Sequence, residues 1–238
     1  MTLLSPSIRA IPFDEVPPNG LTIELLTEQQ RSRLAEIATV ISLPHNAVLY
    51  GEDSPVDAVF LTARGVLKAY RDLPSGRQLV VAFMFPADVF GLAQAGRYVN
   101  SVAAVTPAVL YRIPLDELKA LFHNDAALQF QFLCKVTHEL RESQRQVMVL
   151  TRRDAIGRLA MFLVTLERDT DRSDRKVPRT LFSLPMSRTD IASYLGVSLE
   201  AVSRCCSRLV RDRVVAFPDR HHVRILDRPA LDKLASAL

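Results

Sequence analysis

Glu200, Ser203 and Arg204 lie within five consecutive residues and carry side chains that hydrogen-bond the edges of nucleic-acid bases. Arginine forks onto guanine O6 and N7, glutamate accepts from cytosine N4, and serine serves either a base or a phosphate. Such groups act together only where a helix holds them on one face. At about 100° per residue, a helix capped by Ser198 puts Glu200, Ser203, Arg204, Ser207 and Arg211 on one side and Val202, Cys205 and Leu209 on the other. The first side has no apolar member. It is either a solvated face or a surface shaped for base edges.

A second helix must stand in front of this one. Ser187 with Asp190 three residues on is a capping box, so a helix is expected to start there, bury Ile191 and Leu195, and stop at Gly196. Met186 to Arg211 therefore reads as a helix-turn-helix. In that arrangement Leu199, Glu200, Ser203 and Arg204 face the bases of the major groove, Leu199 against a thymine methyl. Ser187, Arg188, Thr189, Ser207, Arg208 and Arg211 are placed to meet the DNA backbone. Further on, Val214 to Phe217 and Val223 to Leu226 flank Pro218 to His222 and read as a two-stranded wing with a basic tip.

The charge distribution points the same way. Of the 238 residues, positions 1–150 hold 13 basic and 15 acidic side chains, net −2, whereas positions 151–238 hold 17 and 11, net +6. Positive charge gathers in the part that carries the helix-turn-helix, as a double-stranded DNA partner requires. No apolar run approaches the roughly 18 residues of a membrane span, and the first residues lack a basic segment followed by an apolar one. The expectation is a cytoplasmic protein with no membrane partner. Three cysteines without metal-ligand spacing argue against a zinc site or a disulfide framework.

Upstream, residues 1–20 are rich in proline and read as an irregular arm, and Glu24 to Ala38 as a short amphipathic helix. Short β-branched and aromatic runs follow: Val48 to Tyr50, Ala58 to Thr62, Val66 to Tyr70, Gln78 to Phe83, Ser101 to Val105 and Ala108 to Ile113. Many short strands between turn clusters imply an antiparallel double sheet or jelly roll. A metal-dependent enzyme on such a roll needs histidines and a carboxylate on its strands, and Ala47 to Ile113 contains no histidine. Pro114 opens a helix at Leu115 to Phe122, and a longer helix starts near Asp125. Within it Leu133, Val136, Leu140, Ser143, Val147 and Leu150 are spaced as heptad a and d positions. That stripe packs either on a second copy, forming a homodimer, or on the chain's own roll; the homodimer is the expectation. Asp154 to Glu167 is a further amphipathic helix, and Arg168 to Arg179 a polar linker.

With these residues identified, the chain resembles the CRP/FNR superfamily of bacterial transcription regulators, closest to its FNR and FixK branches. The likeness rests on Leu199-Glu200-Ala201-Val202-Ser203-Arg204, preceded by Asp190-Ile191-Ala192 and Tyr194-Leu195-Gly196, and extends to Val59–Gly65 and Phe85–Leu92. It implies an α+β fold: an N-terminal antiparallel β jelly roll of cyclic-nucleotide-binding type, a long dimerisation helix and a C-terminal winged helix-turn-helix. The expected domains are residues 1–122, 123–152 and 153–238. It also implies an activator that binds palindromic TTGAT-like sites as a homodimer and works with RNA polymerase. No catalytic residue is expected.

In the superfamily's cyclic-nucleotide members, a Gly-Glu and later an Arg-Ser hold the ligand's ribose and phosphate. Here the corresponding positions read Gly91-Leu92 and Asn100-Ser101, so the phosphate's charged partner is missing, and Arg97 nearby reads as a solvated side chain. The iron-sulfur cluster of the FNR branch needs four cysteines, and this chain has three. No cofactor is expected, and control by the protein's own synthesis, as in FixK-like regulators, fits best. Two alternatives stay open: a haem- or small-ligand-responsive regulator, for which His45, His123 and His138 are the candidate iron ligands, and redox control through Cys205 and Cys206. Those cysteines pack as small apolar residues on the core flank, or the basic neighbours lower a thiol pKa and make it reactive.

Overall fold

Short strands become stable only by pairing into sheets with one face buried. A computed structural model describes residues 28–93, 96–151, 154–170 and 180–236. Its first strands are β1 Thr39–Leu43, β2 Val48–Tyr50, β3 Ala58–Arg64, β4 Leu67–Asp72, β5 Gln78–Met84, β6 Val89–Phe90, β7 Ser101–Ala104 and β8 Ala108–Pro114. They form two sheets in the orders β1-β8-β3-β6 and β2-β7-β4-β5. The pairs β1–β8, β3–β8, β3–β6, β2–β7 and β4–β7 are all antiparallel, which is the expected jelly roll. The turn between β3 and β4 admits only glycine: Gly65 has φ +86°, and a Cβ there would lie 2.4 Å from the Pro107 carbonyl oxygen.

Helices close one face of this roll. Val59, Leu61 and Ile113 of β3 and β8 are buried with Leu34 of α1 (Glu28–Ile37), Leu118 of α2 (Leu115–Asn124), and Leu128 and Phe132 of α3 (Ala126–Thr151). Each such side chain contributes about 1.5–3 kcal/mol by leaving water. Asp125 caps α3 by accepting from the Leu128 N–H at 2.9 Å, and the Gln30 amide donates to the same carboxylate at 3.2 Å, tying α1 to the helix start. The hydrogen-bonded carboxylate titrates below its ordinary range, chiefly because of the Leu128 N–H and then Gln30.

The C-terminal elements are α4 Ala155–Thr170, β9 Leu181–Ser183, α5 Arg188–Leu195, α6 Leu199–Arg211, β10 Val215–Asp219, β11 His222–Ile225 and α7 Arg228–Ser236. Their core comprises Leu159, Leu163 and Leu166, Ile191 and Leu195, Val202 and Leu209, Val215 and Val223, and Leu231. Strands order β10-β11-β9. The chain packs as two compact units, one of residues up to Arg71 with Phe83–His138, the other of Asp72–Ala82 with Glu139–Leu238.

Four elements escape the sequence reading: β1, β6, β9 and α7. The irregular arm at residues 1–20 and most of the linker at 168–179 lie outside the described residues, as does the start read for α1. Among the described residues no helix is long and apolar enough to cross a membrane.

Candidate nucleic-acid interface

Both helices of the helix-turn-helix start at a serine cap, and the first ends at a glycine. Ser187 caps α5: its Oγ accepts from the Asp190 N–H at 3.0 Å, and the Asp190 carboxylate accepts from the Ser187 N–H at 3.3 Å. At the other end Gly196 takes φ +63°, and its N–H turns back to the Ala192 and Ser193 carbonyls. Arg158 of α4 donates to the Leu195 carbonyl at 2.8 Å. Ser198 then caps α6 by accepting from the Ala201 N–H at 3.1 Å. Cap hydrogen bonds of this kind contribute about 1 kcal/mol each.

Helix α6 buries Val202, Cys206 and Leu209 and turns Leu199, Glu200, Arg204, Ser207, Arg208 and Arg211 outward, with Ser203 half-buried between them. Cys206, rather than Cys205, completes the buried stripe; Cys205 sits half-buried on its flank. The correction is one of angle: four residues advance about 400°, which brings Cys206 back under Val202. Glu200 is held ionised below its usual range by the backbone N–H at the helix start, then by the Ser198 hydroxyl and the Arg204 charge. A carboxylate and a guanidinium thus stand one turn apart in the first two turns.

Ser187, Arg188 and Thr189 are exposed at the start of α5. The Arg188 guanidinium lies over the Phe217 ring, 5.4 Å from its centroid. Arg208 and Arg211 share the Asp212 carboxylate at 3.5 and 3.3 Å. The wing joins β10 to β11, and β9, missed in the sequence, adds a third strand through Phe182 opposite Val223. At its tip the Asp219 carboxylate accepts from the His221 N–H at 2.7 Å and meets His222 Nδ1 at 2.9 Å. These contacts, His221 first, lower its pKa. Arg220 and His221 stay exposed there.

Burial pushes both cysteine thiols up. For Cys205 the opposing pull of Arg204 and Arg208 is smaller than burial, and for Cys206 that of Arg188 is smaller too. Of the two alternatives left open for these cysteines, burial as small packing residues is the one these surroundings favour.

On α3, Leu133, Leu140 and Val147 are 59, 58 and 61 % exposed, with Ser143 and Leu150 exposed beside them. The side chain of Val136 lies outside what is described. Phe130, 63 % exposed, also stands on this helix; it was missed because it lies three residues before Leu133, one position off the four-residue step that continues the stripe upstream.

In the roll, Gly91 follows β6 with φ +95°, and a Cβ there would lie 3.1 Å from the Phe60 ring. Tyr50 and Tyr98 stack at 3.7 Å, with Phe60 and Phe90 packed at 5.6 Å. Arg97 donates to the Asp53 carbonyl, and Ser101 Oγ accepts from the Glu52 N–H at 2.9 Å. His45 Nδ1 pairs with the Val105 carbonyl at 2.7 Å. The described residues hold no grouping of three or more His, Cys, Asp or Glu suited to a metal ion.

Comparison with known proteins agrees with this architecture. Residues 157–234 match the Crp-like helix-turn-helix domain and residues 40–125 the cyclic nucleotide-binding domain. The transcriptional activatory protein AadR of Rhodopseudomonas palustris is 35 % identical over 193 residues, 79 % of this chain and 78 % of that protein. The nitrogen fixation regulation protein FixK of Azorhizobium caulinodans is 29 % identical over 87 % of this chain and 85 % of its own. Among solved structures, FixK2 from Bradyrhizobium japonicum superposes with a TM-score of 0.77 at 29 % identity, covering 85 % of this chain and 99 % of that one. With a capped helix-turn-helix, a jelly roll and a 35 % identical relative matched over most of its length, the chain belongs to the CRP/FNR family of bacterial transcription regulators, among its members of FixK and FNR type.

Proposed function

We propose that the protein is a homodimeric transcription activator that reads palindromic DNA with TTGAT-like half-sites. The observation that carries this is the outward face of α6, where Glu200, Ser203 and Arg204 fall in the first two turns of a helix capped at its start. Arg204 forks onto a guanine, Glu200 accepts from a cytosine N4, and Ser203 and Leu199 refine the choice. Ser187, Arg188, Thr189, Ser207, Arg208 and Arg211 hold the phosphate backbone, and Arg220 at the wing tip adds a further cation.

The apolar stripe of α3 is the seam between two copies: Leu133, Leu140, Val147 and Leu150 lie exposed in a single chain, and a/d residues bury against a partner helix. Two-fold symmetry then presents two α6 helices to a palindrome. In this division residues 1–122 form the sensor-like domain, 123–152 the dimerisation helix and 153–238 the DNA-binding domain. The description of AadR as an activatory protein supports RNA polymerase as the partner of the DNA-bound dimer, in the cytoplasm where both reside. Regulation through the protein's own synthesis, without a bound cofactor, is supported by the Gly91-Leu92 and Asn100-Ser101 positions.

A mobility-shift titration on a TTGAT palindrome and on a scrambled duplex, with light scattering of the complex, tests the reading. Two chains per duplex and a strong preference for the palindrome are expected. Equal affinity for both duplexes, or one chain per site, would overturn it.

A further inference from the structure

Beside the reading face, Arg188 at the start of α5, Cys206, Ser207, Val210 and Arg211 on α6, and Phe217 on β10 line a notch of about 310 Å³. The notch is open to solvent, and its volume lies at the lower end of the roughly 300–1,000 Å³ of small-molecule pockets. Its lining is a particular combination: two guanidinium cations, a hydroxyl, an aromatic wall and a thiol. Cys206 is only 6 % exposed and is one of the residues that line the notch. Cys205 does not line it, and its environment includes the Asp154 carboxylate, which opposes a thiolate.

We infer that this notch is a modification site at which Cys206 forms a mixed disulfide with a small anionic thiol. The Cys206 thiolate attacks one sulfur of a small anionic disulfide. The old S–S bond breaks as the new one to Cys206 forms, and the departing thiolate takes up the proton that Cys206 released. Carboxylates on the incoming group pair with Arg188 and Arg211 through charge-assisted hydrogen bonds, in competition with Asp212 for the second of these. Val210 and Phe217 cover the apolar part. Because burial raises the thiol, exchange is slow near neutrality and gains about tenfold in rate for each pH unit below its pKa.

The consequence rests on the DNA-reading proposal above: the adduct occupies Arg188, Ser207 and Arg211, three of the groups assigned to the phosphate backbone. Removing such contacts lowers duplex affinity by about tenfold or more and flattens its salt dependence.

The full-length reduced protein is incubated with oxidised glutathione at pH 7 and pH 8.5, and separately with cystamine, a cationic disulfide. Peptide mapping by mass spectrometry locates the adduct, and fluorescence anisotropy measures duplex binding before and after. The expected result is one glutathionyl group on Cys206, formed faster at the higher pH and faster than the cystamine adduct, with about tenfold weaker duplex binding restored by dithiothreitol. Cys206→Ser and Cys206→Ala should keep their duplex affinity in oxidised glutathione, and Cys205→Ser should behave as the wild type. No adduct at Cys206, adduct only on Cys205 or Cys134, or equal rates with the two disulfides would overturn the site. An adduct on Cys206 that leaves affinity unchanged would overturn its coupling to DNA. Failure of the reduced protein to bind any duplex would instead overturn the DNA-reading proposal, and the mass map would still decide the site.

Discussion

Arg158 Nη1 lies 2.8 Å from the carbonyl oxygen of Leu195, and 3.4 Å from that of Gly196. Helix α4 thereby reaches into the turn of the helix-turn-helix and satisfies the carbonyl that ends α5. Arg158→Ala should lower the stability of this unit by roughly 1–2 kcal/mol, a partly exposed charged hydrogen bond, and weaken operator binding without changing the preferred sequence. Chemical denaturation followed by selection on random duplexes checks both parts. A changed base preference would show that Arg158 itself sets the reading geometry.

Much of this was legible in the sequence because caps are local. Ser187 and Ser198 read as caps and each accepts the N–H of the residue three on; Asp125 and Asp154, where two further helices were read to begin, cap them in the same way. The reading face followed, because a helical period needs no tertiary information. Strands too short or too exposed to show a pattern of their own were not legible. β9 is three residues long and exists through β11, some forty positions on. β1 has no fully buried residue, so it shows no clear alternation, and β6 has only two residues. α7 did carry a signal: Asp227 accepts from the Ala230 N–H at 2.9 Å, and Pro229 sits in the first turn.

The Asp125 carboxylate links acid stability to the α3 cap. Its folded pKa is depressed by the Leu128 N–H and Gln30, so its stabilising contribution is present above the unfolded value of about 4 and is lost as pH falls through the folded one. Wild type should therefore lose stability below about pH 4, and Asp125→Asn, which still caps a helix, should lose less over that window. Parallel denaturant titrations at pH 7 and pH 3 measure the difference. The same pH dependence in both proteins would contradict the assignment.

Leu140 is 58 % exposed in the middle of the α3 stripe. Leu140→Glu should leave the chain folded and monomeric, because a buried unpaired carboxylate at a helix seam costs several kcal/mol, and operator affinity should fall with the loss of the second copy. Light scattering and circular dichroism separate dissociation from unfolding. A dimer mass with normal operator affinity would place the seam elsewhere.

Cyclic AMP should leave DNA affinity unchanged. The family resemblance puts Asn100 at the position where a cyclic-nucleotide phosphate needs an arginine, and Arg97 is engaged with the Asp53 carbonyl. Anisotropy titrations with and without the nucleotide decide it, and a clear gain in affinity would show that the roll supplies another phosphate partner.

Base reading by Arg204 is tested most directly by selecting binding sites from random duplexes with wild type, Arg204→Ala and Arg211→Ala. Wild type should return a palindrome of TTGAT-like half-sites whose centres lie about one helical turn apart. Arg204→Ala should bind about 1–3 kcal/mol more weakly and lose its preference at the guanine, whereas Arg211→Ala should weaken every sequence alike and reduce the salt slope by about one. The same base preference from wild type and Arg204→Ala would mean that this arginine meets only phosphate, and that the outward face of α6 does not read sequence through it.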